Sequence, residues 1–228
     1  MTLRKLVCLV VLAAMMLGGA ARVSAADFSG GTFTCLDYTN GLGENSAGRM
    51  SSNLARLWMY GFLAGYYKTQ GKLEMSTDDA ADMQALDSTF VATCSTYPTN
   101  SIFAVVAKAI AVQPHKMPNA IARDFTPTTY TCGQHLDGKN GAAAAANKAD
   151  LAEFWAFGFV QGYKNVNFPD FEIGAEFRPA ITKSLLNACA DRRDQLIMDV
   201  AAQVADKVKI DPKVPKEKPV GRGSKGKR

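Results

Sequence analysis

The side chains in this sequence best suited to chemistry are its cysteines: Cys8, Cys35, Cys94, Cys132 and Cys189. None lies in a C-x-x-C pair, the spacing that activates a redox thiol. The two histidines stand apart, in Gln113-Pro-His115-Lys and Gly133-Gln-His135-Leu, at no zinc-ligand spacing. Both are expected on loops rather than as catalytic bases. No nucleophile elbow, metalloprotease helix or phosphate loop occurs. The expectation is therefore a non-enzyme with no metal and no cofactor, whose cysteines form disulfides.

Disulfides call for an oxidising compartment. The chain opens on Arg4 and Lys5, runs apolar from Leu6 to Leu17 and reaches Val23-Ser24-Ala25. That pattern matches a secretory signal peptide over 1–25, cleaved after Ala25 or Ala26. Its apolar run falls short of the roughly 20 residues a spanning helix needs. Cys8 would leave with it, and an even set of four cysteines would remain.

The elements that position those four are duplicated. LARLWMYGFLAGY at 54–66 lies over LAEFWAFGFVQGY at 151–163, an offset of 97 with seven of thirteen positions identical. Phe33-Thr34-Cys35 lies over Tyr130-Thr131-Cys132 at the same offset. Cys94 lies over Cys189, and Ile102–Val106 over Ile197–Ala201, at an offset of 95. Each copy owns one early and one late cysteine, so Cys35–Cys94 and Cys132–Cys189 is the natural pairing among three.

Each copy reads as helical. Leu54, Trp58, Phe62 and Tyr66 recur every four residues, with Leu57, Gly61 and Gly65 beside them. A second helix is expected from Ser76 or Thr77 to Cys94, with Ser76 and Asp79 as a capping box. A third should start near Asn100 and carry Ile102, Val105, Val106 and Ile110 on one side. The second copy predicts helices near 146–164, 177–190 and 194–208. Asn40-Gly41, Gly43 and Gly71 punctuate loops, and no alternating strand pattern stands out. The expectation is an all-α chain of two tandem, disulfide-stapled modules, 27–113 and 130–208, joined by a linker at 114–129. The Lys- and Pro-rich segment 209–228 is expected to be a disordered basic tail.

Gly61 and Gly65, like Gly158 and Gly162, lie four apart on one helix face. Glycine inside a helix costs about 1 kcal/mol against alanine, so a closely approaching helix or loop should offset it. One reading is a core helix packed tightly in its module. The other adds a protein-contact surface made of Trp58, Tyr60, Phe62, Trp155, Phe157 and Phe159. Tyr60 and Phe157 fall off the main stripe and would form its exposed aromatic edge.

Charge is uneven. The net of +5 conceals a body, 27–208, with 15 basic and 19 acidic residues, a net of −4. The tail from Lys209 carries eight basic residues against two acidic ones. Such a balance is too weak to argue for nucleic-acid binding.

Taken together, Thr34-Cys35, Gly61-Phe62, Gly65-Tyr66, the acidic run Asp78-Asp79-Asp82 and Cys94 resemble the HdeA/HdeB family of small helical periplasmic proteins. In the second copy, Thr131-Cys132, Gly158-Phe159, Gly162-Tyr163 and Cys189 carry the resemblance. It covers about 34–112 and 131–208. It implies a periplasmic acid-stress chaperone, inactive near neutral pH, that loosens in acid to hold unfolding proteins. Family members are typically single modules that pair as homodimers. A tandem chain could pair its own modules or form a homodimer. The charge pattern is compatible: the chain after the signal peptide would move from +2 to about +25 near pH 2 on ordinary side-chain pKa values. The alternative is a non-catalytic envelope module that binds a protein partner. It could also bind an anionic membrane or cell-wall polymer through Lys213–Arg228.

Overall fold

A computed structural model describes residues 28–43, 48–109, 116–119, 121 and 125–209. The expected signal peptide, Ile110, His115 and the basic tail beyond Lys209 lie outside the described residues.

The threonine before each early cysteine starts a short helix, α1 (Cys35–Gly41) and, in the second half, α5 (Cys132–Lys139). Thr34 accepts from the Asp37 N–H while the Asp37 side chain accepts from the Thr34 N–H. Thr131 and Gln134 make the same reciprocal pair. Two orphan donors are satisfied at each helix start, which fixes both cysteines in a first turn. Asn40 and Gly41, expected in a loop, instead complete α1.

The long helices follow: α2 (Arg49–Thr69) and α6 (Ala143–Asn165). After α2 come β1 (Glu74–Met75), α3 (Asp79–Thr96), α4 (Ile102–Ala109) and β2 (Lys116–Met117). After α6 a 3-10 turn, Ala175–Phe177, leads into α7 (Arg178–Ala190), and α8 (Ile197–Lys207) closes the described chain. Two expected caps differ. Asp78, not Ser76, caps α3 by accepting from the Ala81 N–H; Ser76 directly follows β1, donates its N–H to Met117 O, and its hydroxyl accepts from the Asp78 N–H. Ser101, not Asn100, accepts from the Ala104 N–H at the start of α4. The Asn100 carbonyl is taken by the Cys35 N–H.

Each half is then tied the same way. Cys35–Cys94 joins α1 to α3, and Cys132–Cys189 joins α5 to α7. Antiparallel bridges Thr34–Ser101 and Thr131–Leu196 hold the last helix of each half to its first. The two disulfides mark a non-reducing environment. No helix among the described residues is long and apolar enough to cross a membrane.

The halves share one contiguous apolar core. Met117, Ile121 and Phe125, within the stretch expected as a linker, are buried in it. Phe28 and Phe125 are another matched pair at an offset of 97. Phe28 lies 5.3 Å from Phe33 and 6.2 Å from Trp58, and Phe125 lies 5.4 Å from Tyr130 and 6.1 Å from Trp155. Phe28 also meets Phe154 of the other half at 5.0 Å, so it straps the halves together.

Candidate functional site

The two long helices meet through their glycines. A Cβ on Gly61 would overlap the Trp155 carbonyl, and one on Gly65 the Phe159 carbonyl. Reciprocally, a Cβ on Gly158 would overlap the Trp58 carbonyl and one on Gly162 the Phe62 carbonyl. The contacts climb both helices together, so α2 and α6 run parallel and in register about a pseudo-twofold axis. Backbone meets backbone there, an approach only glycine permits.

The aromatic residues of both helices are buried in the shared core. Trp58, Tyr60, Phe62, Trp155, Phe157 and Phe159 are each at most 1% exposed. Trp58 lies 5.5 Å from Phe62 and Trp155 lies 5.1 Å from Phe159. The expected exposed aromatic edge is therefore absent from this folded state. Tyr60 leaves the main stripe only to enter a second contact: its ring lies 6.1 Å from Phe90 and its hydroxyl donates to Asp87 Oδ1 at 2.8 Å. Thus α2 is covered by α6 on one side and α3 on the other. By the usual burial of an aromatic side chain, the six together hide on the order of 1,000 Å². Folded monomers seldom expose a contiguous apolar patch beyond a few hundred Å².

Among the described residues, three partly exposed groups of polar contacts tie the halves. Lys68 Nζ lies 3.2 Å from Asp199 Oδ1. Glu172 accepts from the Ser29 hydroxyl and the Gly31 N–H. Thr69 donates to the Tyr163 carbonyl at 3.3 Å.

The halves differ most at one buried position. Expected on a loop, His135 lies in α5 and is fully buried. The Thr131 cap starts a helix there and turns His135 toward the core. Neither ring nitrogen has a hydrogen-bond partner; Nε2 is 3.7 Å from Glu153 Oε1, beyond bonding distance. Glu153 is already engaged, with Lys139 Nζ at 3.0 Å and the Thr182 hydroxyl at 3.3 Å, and Lys139 also reaches Asp150 at 3.1 Å. Burial, aided by the Lys139 ammonium and opposed by Asp150, pushes the imidazole down to about 4.

In the first half the equivalent residue is Tyr38, also fully buried. Burial first, then the Asp87 carboxylate, holds its phenol well above the usual range. Asp87 is shared between Tyr60 and Arg56, whose guanidinium is 3.2 Å away. The first half thus has a tyrosine–aspartate–arginine network where the second has an unpaired imidazole.

No group of three or more histidine, cysteine or acidic side chains among the described residues could hold a metal. The chain matches no family model, no curated protein and no solved structure.

Proposed function

We propose that this chain is a periplasmic, acid-activated holdase that acts without catalysis, with unfolding periplasmic proteins as its clients. The observation that carries the reading is the glycine-mediated pairing of α2 with α6, at the centre of a shared core in which six aromatic side chains of these two helices are buried. Among the described residues, the large apolar side chains exposed in the folded state are Leu36, Leu42, Met50, Tyr97 and Phe177, none of them from the aromatic set of α2 and α6. Parted, the same helices offer an apolar surface large enough to hold one. The pair is internal, so opening is unimolecular and the halves stay tethered.

Acid supplies the force. Charge accumulating toward about +25 pushes the halves apart, against a few surface ties. The disulfides set a limit to the opening, because each spans close to 60 residues and keeps its half collapsed. The resemblance to the HdeA/HdeB family points the same way. The test is whether the oxidised chain, without its first 26 residues, keeps a periplasmic protein mixture soluble at about pH 2.5 and at pH 7. Protection confined to acid is expected. Protection at neither pH overturns the reading and leaves an envelope interaction module as the alternative.

A further inference from the structure

We infer that His135 is the acid sensor of the second half: gaining a proton there, in the core between α5, α6 and α7, sets the pH at which that half opens. The inference deepens the holdase reading and rests on it for its purpose, but its test reads conformation and can fail separately.

The argument begins with what surrounds the ring. From α5 itself comes Lys139, a cation. From α6 come Glu153, whose Oε1 lies 3.7 Å from Nε2, and Asp150, whose oxygen is held by Lys139. The preceding segment contributes Tyr130, ring edge toward the imidazole at 6.3 Å. From α7, Thr182 donates to Glu153 while Arg178 lies over the Phe154 ring. The charged groups of α8 are engaged elsewhere: Asp199 with Lys68, Asp206 with the Tyr163 hydroxyl, and Lys207 on an outer groove beside Asp191. A neutral imidazole is tolerated here although both nitrogens lack partners. An imidazolium has two N–H donors and needs two acceptors; Glu153 Oε1, 3.7 Å from Nε2, is too far to accept one in this geometry, and Nδ1 has no partner. Relief comes from letting α5 move off α6, so that water reaches the ring.

The sign follows from linkage. The folded-state value is depressed, so the unfolded chain binds the proton first as pH falls through 6.5, and the folded chain only near 4. Stability is lost across that window. The shift corresponds to roughly a 300-fold rise in the unfolding constant on passing from above 6.5 to below about 4. At the equivalent position of the first half, burial and the Asp87 carboxylate hold the Tyr38 phenol above its usual range, so it stays neutral across that window.

The experiment is urea unfolding of the oxidised chain between pH 7 and 4, for wild type, His135→Phe and His115→Gln. Wild type and His115→Gln should lose stability together, with the unfolding constant of His135→Phe rising roughly 100-fold less over this interval. An unchanged pH dependence in His135→Phe overturns the proposal. In the folded His115→Gln protein, the proton resonances of the remaining imidazole should stay fixed from pH 7 to about 5.5. Titration near the ordinary histidine value overturns it even if His135→Phe does not fold. The switch present but client protection absent would sink the holdase reading and leave the sensor standing.

Discussion

Alanine at Gly162 should destabilise this protein, although alanine normally stabilises a helix. Propensity alone favours the exchange by about 1 kcal/mol. The packing opposes it: a Cβ at Gly162 would overlap the Phe62 carbonyl oxygen and lie 2.6 Å from its carbon and 2.8 Å from its Cα. These are backbone atoms of a helix and cannot rotate away, so α2 and α6 must separate. Overpacking of this kind costs about 1–3 kcal/mol, and the upper end fits three backbone contacts. The expected net loss is about 2 kcal/mol, which lowers Tm by about 4–8 °C for a chain of this size. Urea unfolding at pH 7, followed by tryptophan fluorescence, measures it. Gly65→Ala makes the mirror-image clash against Phe159. The double variant should cost less than the sum, because one widening relieves both contacts. Both should also open at higher pH than wild type. A Gly162→Ala protein more stable than wild type by about 1 kcal/mol would refute the close helix approach and the hidden surface built on it.

Further outcomes follow from the same contacts. Replacing Cys35 and Cys94 together by serine should cost about 4 kcal/mol from loop closure alone. In acid, that variant should expand in small-angle scattering while the oxidised chain stays compact; equal radii would show that the disulfide does not limit opening. Phe28→Ala should cost about 3–5 kcal/mol as a fully buried aromatic truncation. Because Phe28 touches both Trp58 and Phe154, it should lower the unfolding midpoint of the two halves together. A loss confined to the first half would show that the strap does not couple them.

Part of this architecture is legible in the residue pattern and part is not. Offsets of 97 and 95 make pairing within each copy the natural one of three, and the structure forms those two bonds. Long, strongly periodic segments predict the long helices. The short helices α1 and α5 escape because seven or eight residues show little periodicity, though Thr-x-x-Asp and Thr-x-x-Gln mark their starts. The Asp27-Phe28 and Asp124-Phe125 pairs signal the aromatic strap at the repeat offset, but they lie outside the segments with obvious helical pattern. The burial of His135 is written only in the repeat, through Tyr38. Tyr60 and Phe157 mislead for a physical reason: a helix enclosed on two sides has no outer face for its off-stripe aromatics.

The chain has two tryptophans, and both lie at the helix crossing. Their exposure therefore tests the central claim most directly, by emission maximum and acrylamide quenching from pH 7 to 2 at protein concentrations about a hundredfold apart. The account predicts that both become accessible in acid while helical circular dichroism is largely retained. The transition should fall at the same pH at either concentration, because the pair is internal. Tryptophans that stay shielded at pH 2 would contradict it, as would a transition whose midpoint moves with dilution.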